Sequence, residues 1–322
     1  MTEVMNRINR IQATRRTPTT ASDSINSEQF RCNFKIQQPN QKTYIFGDIE
    51  GNNKLFHSTL NIIHETKNND NINYIFLGDL YDYNSPSESI AIIEKIMSEL
   101  NIPINPTFNN ETKEIDVIRS FRKLWKLKQM KCYSKFNIQY IHSKLKPETI
   151  PNSKYLFILG NKEIIFVQEI ITSEHITKSS DSVFNVPADY KYKHKKPGRA
   201  DVKHTEYKFT IHQLNTLYSF IMLCNNYAII NKTLFIHCYI NYKTFNDNIK
   251  QKIKYVISGH SKGYGHFIDS EFKGVEIYIV DLTNQETNNE EEINNYITLT
   301  SSGVNYSFNN IIKPKLEKLE TI

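Results

Sequence analysis

The sequence predicts an α/β fold with a parallel core sheet, and three observations carry that prediction. Short apolar runs alternate with helical patterns through residues 43–100. A strand–helix–strand–helix order implies parallel strands joined by right-handed crossovers. The apolar runs end in polar residues able to bind a metal, and in such sheets ligands sit at the carboxyl ends of strands. The chain has 322 residues with 39% hydrophobic and 12% aromatic content, enough to build a core of one large α/β domain or two small ones.

Within residues 1–40, residues 1 to about 28 carry no sustained apolar period and hold Arg7, Arg10, Arg15 and Arg16 among Thr, Ser and Asn. They read as a disordered basic tail, with a nucleic-acid-touching arm as the sharper alternative. The first strand is 43–46. It meets Gly47-Asp48-Ile49-Glu50-Gly51, so two carboxylates sit at a strand–turn–helix junction. A carboxylate at the end of a core strand is poorly placed for packing and well placed for chemistry. Leu55, Leu60, Ile62 and Ile63 then fit a helix of roughly ten residues.

The second strand, 74–77, is a continuous apolar run ending in Gly78-Asp79-Leu80-Tyr81-Asp82. Ser85 and Pro86 supply an N-cap and a first helical residue for a helix through Leu100. Residues 101–150 read as an insertion. From Val117 to Lys146 there are nine Lys or Arg and no acid. Val117, Phe121, Leu124, Trp125 and Leu127 recur at near-helical spacing, so this stretch is either a helix with a solvated basic face or a lid facing phosphate or nucleic acid.

The third strand, 155–159, leads into Gly160-Asn161-Lys162-Glu163 and a helix through Ile171. Residues 172–208 read as a second, polar and irregular insertion, with a basic cluster from Lys191 to Arg199. A helix over 212–227 follows. Later strands end in His237, in Gly259-His260-Ser261 and at Asp281, the last read as a strand-end cap. Residues 286–322 read as a polar extension beyond a domain spanning 41–285.

No apolar run approaches the ~20 residues needed to span a membrane, and the N-terminus lacks a signal-peptide apolar region. Cys32, Cys132, Cys224 and Cys238 form no C-x-x-C and read as reduced thiols, so a cytoplasmic location is expected. The net charge of +6 is mild. Abundant Asn, Ile, Lys and Tyr have the composition of an AT-rich coding genome, such as that of a virus or parasite.

Taken in order, the strand endings resemble the calcineurin-like metallophosphoesterase family, in its protein-phosphatase and bis-nucleosyl-tetraphosphatase branch. That family reads GD-x-HG, GD-x-x-D-R-G, GNHE, a strand-end His, then GH. The resemblance covers roughly residues 43–282 and implies a sandwich of two mixed β-sheets flanked by helices, with helical and basic insertions. It implies two divalent ions, Mn²⁺ first among Mg²⁺, Fe and Zn²⁺, held by Asp48, Glu50, Asp79, Asn161, His237 and His260, with Asp79 bridging them. A bridging hydroxide would attack a phosphorylated substrate, either a small molecule or a phosphoprotein. Asp82 would orient a neighbouring catalytic group.

The departures are specific. Glu50 stands in place of a His ligand. Lys162 replaces the His associated with leaving-group protonation; a lysine ammonium there could steady a phosphate, or act as an acid if its pKa is depressed near the metals' charge. Tyr83 replaces an Arg phosphate clamp. The alternative function is a member without turnover that binds phosphate, nucleic acid or protein through the two basic stretches. The nuclease branch is disfavoured, because Gly259-His260-Ser261-Lys262 lacks a second His.

Overall fold

Three near-identical triplets build the centre of the fold. The computed structural model describes residues 42–82, 85–128, 130, 154–172, 176–180, 182–188, 205–230, 232–238, 245, 247–260, 263–268, 274–281 and 296–300. Strands β1 (Lys42–Phe46), β2 (Ile72–Phe76) and β3 (Tyr155–Phe157) lie parallel, with Tyr44 beside Tyr74 and Tyr74 beside Tyr155. Ile45, Ile75 and Leu156 form the next row, then Phe46, Phe76 and Phe157. Side chains alternate across a strand, so the aromatic rows face one side and the aliphatic row the other. The Phe rings stack at 5.1 Å and 4.7 Å between centroids. Such pairs add about 0.5–1.5 kcal/mol beyond burial, which favours this register over a slipped one.

The aromatic face is covered by helices α1 (Asn53–Thr66), α2 (Pro86–Glu99), α3 (Glu114–Leu127), α4 (Asn161–Thr172) and α5 (Ile211–Leu223), which contribute Ile63, Ile93, Phe121, Phe166 and Phe220 to one core cluster. Asn52 caps α1 by accepting from the N–H groups of Lys54 and Leu55, and Thr210 and Gln213 form a reciprocal capping box at α5. Ser85 and Pro86 begin α2 as expected, although the Ser85 side chain makes no cap hydrogen bond.

The aliphatic face packs on a second sheet. Strands β7 (Tyr227–Ile230), β8 (Thr233–Cys238), β9 (Tyr255–Gly259), β10 (Gly263–Ile268) and β11 (Glu276–Asp281) run in the order β10-β11-β9-β8-β7. The pairs β8–β9 and β9–β11 are parallel, and the two edge pairs are antiparallel. Ile45, Ile75 and Leu156 share a cluster with Phe235, Ile257 and Val280. The fold is therefore a mixed α/β sandwich of mixed sheets flanked by helices, as the sequence predicted. The far face of the second sheet buries Leu234, Val256 and Ile277 with Phe245 and the loop residue Ile253; a short helix, α6 (Asp247–Lys250), lies between these two.

Some segments differ from the sequence reading. Tyr296–Thr300, inside the expected polar extension, forms β12 antiparallel to β1 and buries Ile297 and Leu299 between the sheets. The expected irregular stretch 172–208 contains β4 (Thr177–Ser180) and β5 (Val183–Ala188). These form an antiparallel three-stranded sheet with β6 (Thr205–Thr210), held to the helical core by Phe184, Val186 and Phe209. Residues 101–130 belong to the core through Ile102, Phe108, Val117, Phe121, Leu124 and Met130. In α3, Leu127, assigned to the apolar face, is 52% exposed.

The expected tail 1–40, Tyr83, the basic cluster from Lys191 to Arg199, residues 131–146 of the first basic stretch and most of 286–322 lie outside the described residues. Among the described residues, Cys224 and Cys238 are buried and unbridged, and no helix is long and apolar enough to cross a membrane.

Candidate metal centre

The ends of four strands and the start of one helix meet at a single point. Asp48 follows β1, Asp79 follows β2, His237 lies near the end of β8 and His260 follows β9. One ligand atom from each of these four residues lies within 4.8 Å of the other three. Asp48, Asp79 and His237 are at most 2% exposed.

Local backbone features aim these groups. Where Ile236 pairs with Ser258 and Cys238 with Gly259, β8 carries one residue more than β9, and that residue is His237. A bulge of this kind redirects a side chain at a strand end. Asp79 (φ 49°) and His260 (φ 61°) adopt left-handed backbone, as does Glu50 (φ 49°). These are costly conformations for non-glycine residues and are held here by the surrounding contacts. The N–H groups of Ile49 and Glu50 donate to the Asp79 carbonyl at 3.2 and 2.9 Å, tying the first two strand-end loops together. The His260 N–H lies 3.2 Å from both Asp48 carboxylate oxygens.

Close approach explains two glycines. A Cβ on Gly160 would collide with the backbone N and Oδ1 of Asp79, and one on Gly259 with Asp48 Oδ1.

His237 is the hub. Its Nδ1 donates to the Leu77 carbonyl at 2.8 Å, which fixes the ring. Its Nε2 faces Asn161 Oδ1 at 2.8 Å, His260 Nδ1 at 3.2 Å and Asp79 Oδ1 at 3.4 Å. An imidazole oriented by a backbone carbonyl, next to carboxylate and amide oxygens, is a donor set suited to a divalent ion. The residues present therefore fit a metal.

The electrostatics show how tightly the charges are coupled. Burial pushes the Asp48 carboxyl well above its ordinary value, against the pull of His237. Burial also opposes ionisation of Asp79, but His237 holds it down at about 2. Burial would lower His237, yet Asp79 and Asp48 raise it well above the usual imidazole range. Burial and His237 together push His260 down to about 4.

Three expected site residues, Glu50, Lys162 and Asp82, meet beside this cluster. The Glu50 carboxylate is not among the four converging ligands; its Oε1 lies 2.8 Å from Lys162 Nζ. Lys162 Nζ also donates to Asp82 Oδ1 at 3.3 Å. The groups around Lys162 act on its charge in opposite directions. Burial alone would lower its pKa, but Asp79, Glu50 and Asp82 raise it above the ordinary lysine value.

Two contributions were missed from sequence. Glu163, quoted in its motif without a role beyond pairing with Lys162, is fully buried and accepts the N–H groups of Asp79, Tyr81 and Gly160 at 3.1, 3.0 and 3.0 Å. Burial and Asp79 push its carboxyl up to about 7. Asp281 is 2% exposed, and its charge raises both Asp48 and Glu50. The signal for Asp281 was present: it ends an apolar strand just as the ligands do.

No protein-family model matches the chain, and a search of curated proteins finds no match. Among solved structures the chain is similar to a protein serine/threonine phosphatase from Saccharomyces cerevisiae described as having similarity to human phosphatase PP5. The identity is 13% and the TM-score 0.27, with 75% of this chain and 55% of that chain covered. This chain thus spans about half the length of that structure, and a likeness at this TM-score carries no argument about function.

Proposed function

We propose that this chain is a metal-dependent phosphoesterase of the calcineurin-like kind, hydrolysing a phosphomonoester, a nucleotide or a phosphoprotein. The observation that carries the reading is the convergence of Asp48, Asp79, His237 and His260 within 4.8 Å, from strand ends whose motifs follow the order of that family's motifs. Their hard oxygens and imidazoles favour Mn²⁺, with Mg²⁺, Fe or Zn²⁺ as other candidates. Asp48, Asp79, His237 and His260 would hold a divalent ion, which would polarise a phosphoryl oxygen and lower the pKa of a bound water. His237, fixed by Leu77, orients the donor set; Asn161 adds an amide oxygen beside it. Lys162, kept cationic by Glu50 and Asp82, supplies positive charge for a phosphoryl oxygen. Exposed Arg119, Arg122, Lys123 and Lys126 on α3 offer a surface to an anionic substrate or nucleic acid.

The test is hydrolysis of p-nitrophenyl phosphate and its bis-ester by protein loaded with Mn²⁺. Turnover that Asp79→Asn abolishes is expected. A chain that binds no divalent metal and shows no turnover would overturn the reading. The engagement of Lys162 with two carboxylates favours a second reading, a phosphate-binding member without turnover. Stoichiometric metal without hydrolysis of either ester would select that one.

A further inference from the structure

The described side chains sort into two groups around Asp79, and a lysine ammonium stands between the carboxylates of one of them. On one side Asp48, Asp79, His237 and His260 turn ligand atoms toward one another within 4.8 Å, with Asn161 Oδ1 beside His237 Nε2. On the other side Glu50 Oε1 and Asp82 Oδ1 turn toward Lys162 Nζ, at 2.8 and 3.3 Å. The Lys162 side chain is 11% exposed, Asp82 12% and Glu50 23%. The Lys162 backbone N–H also donates to Asp79 Oδ1 at 2.9 Å, which anchors the base of the lysine to the carboxylate shared between the groups.

A two-ion site needs a second set of ligands around a point about 3.5–4 Å from the first ion. Here the second pair of carboxylates already surrounds a covalently tethered cation. An ammonium is a compact point charge with three donors and can be neutralised by two carboxylates. A divalent ion entering beside it would meet like charge in a poorly solvated site.

We propose that the Lys162 ammonium takes the place of a second divalent ion, so that the chain binds a single divalent ion, at Asp48, Asp79, His237 and His260. This inference rests on the proposed metal-dependent reading and departs from the ion pair implied by the family resemblance. Lys162 is then a fixed positive charge for a phosphoryl oxygen rather than a proton donor. Glu50 serves to position it and does not ligate metal.

The experiment counts ions in the full-length chain. Protein equilibrated with Mn²⁺ and freed of excess is assayed for metal by mass spectrometry against protein by amino-acid analysis. Paramagnetic resonance then reads whether each Mn²⁺ is isolated or exchange-coupled. One ion per chain with an isolated six-line spectrum is the expected result. Lys162→Met, which releases Glu50 and Asp82, should take up a second, weaker ion, and Lys162→Arg should remain at one. Two coupled ions in the wild-type chain would overturn the inference and leave the metal-dependent reading standing. No bound ion would overturn both. A folded Lys162→Met that stays at one ion would overturn the assignment to Lys162. Lys162→Gln replaces it if the Met variant does not fold, and the wild-type spectrum decides the ion count without any variant.

Discussion

Glu163 Oε2 accepts the backbone N–H of Asp79 at 3.1 Å, across a fully buried contact between the start of α4 and the loop after β2. With Tyr81 and Gly160 as further donors, this one carboxylate holds the turn that gives Asp79 its left-handed backbone. Glu163→Ala leaves three buried N–H groups without that acceptor. Each unsatisfied group costs about 1–3 kcal/mol, so a loss of at least ~3 kcal/mol is expected. Urea denaturation checks this. Glu163→Gln should lose less, because it keeps one acceptor oxygen.

Gly160→Ala tests close approach rather than hydrogen bonding. Its Cβ would strike the Asp79 backbone, which cannot swing aside as a flexible side chain would. Overpacking of this kind costs about 1–3 kcal/mol. Mn²⁺ affinity measured by calorimetry should fall with stability, because Asp79 must shift. Gly259→Ala should do the same through Asp48.

Glu99 sets a pH dependence away from the site. Hydrogen bonds from Lys67 at 2.7 Å and from Lys95 hold its carboxyl down at about 2, from an ordinary 4.5. A depressed carboxyl stabilises the fold fully above its unfolded pKa and loses that contribution as pH falls from 4.5 toward about 2. Glu99→Gln should therefore be less stable than wild type at pH 7, by less than about 1 kcal/mol per pair. The difference should vanish near pH 2. Denaturant midpoints of the two proteins across that range are the measurement.

Phe121→Ala tests whether residues 101–130 belong to the core. The ring is fully buried and meets Phe166 and Tyr218 edge-on at 5.7 and 5.3 Å. A loss of about 3–5 kcal/mol is expected for a core aromatic. A detachable insertion would instead give a loss below about 1 kcal/mol, as for a surface change.

Much of the molecule was legible because its signals are local. Each of the first three strands is an apolar run leading to a Gly and a polar residue, so strand ends and parallel order could be read from local pattern, and candidate metal ligands from the resemblance of the strand endings to a family's motifs. The elements misread are those whose reason lies across the fold. Phe184, Val186 and Phe209 lie in a polar surround, and only the helical core behind them shows why β5 and β6 form. Tyr296–Thr300 alternates for five residues only and is stabilised as a strand by pairing with β1.

The sequence by itself determined which residues stand at the strand ends, because period and turn chemistry act over a few residues. It offered Asp48, Glu50, Asp79, Asn161, His237 and His260 as candidate ligands in order along the chain. Only the tertiary structure decided where the remaining charges turn. Glu50 and Lys162 lie far apart in sequence, and a long side chain can reach either of two neighbours. Its choice depends on burial, which makes an unpaired charge too costly, and on which opposite charge lies within reach. That choice places the Glu50 carboxylate against Lys162.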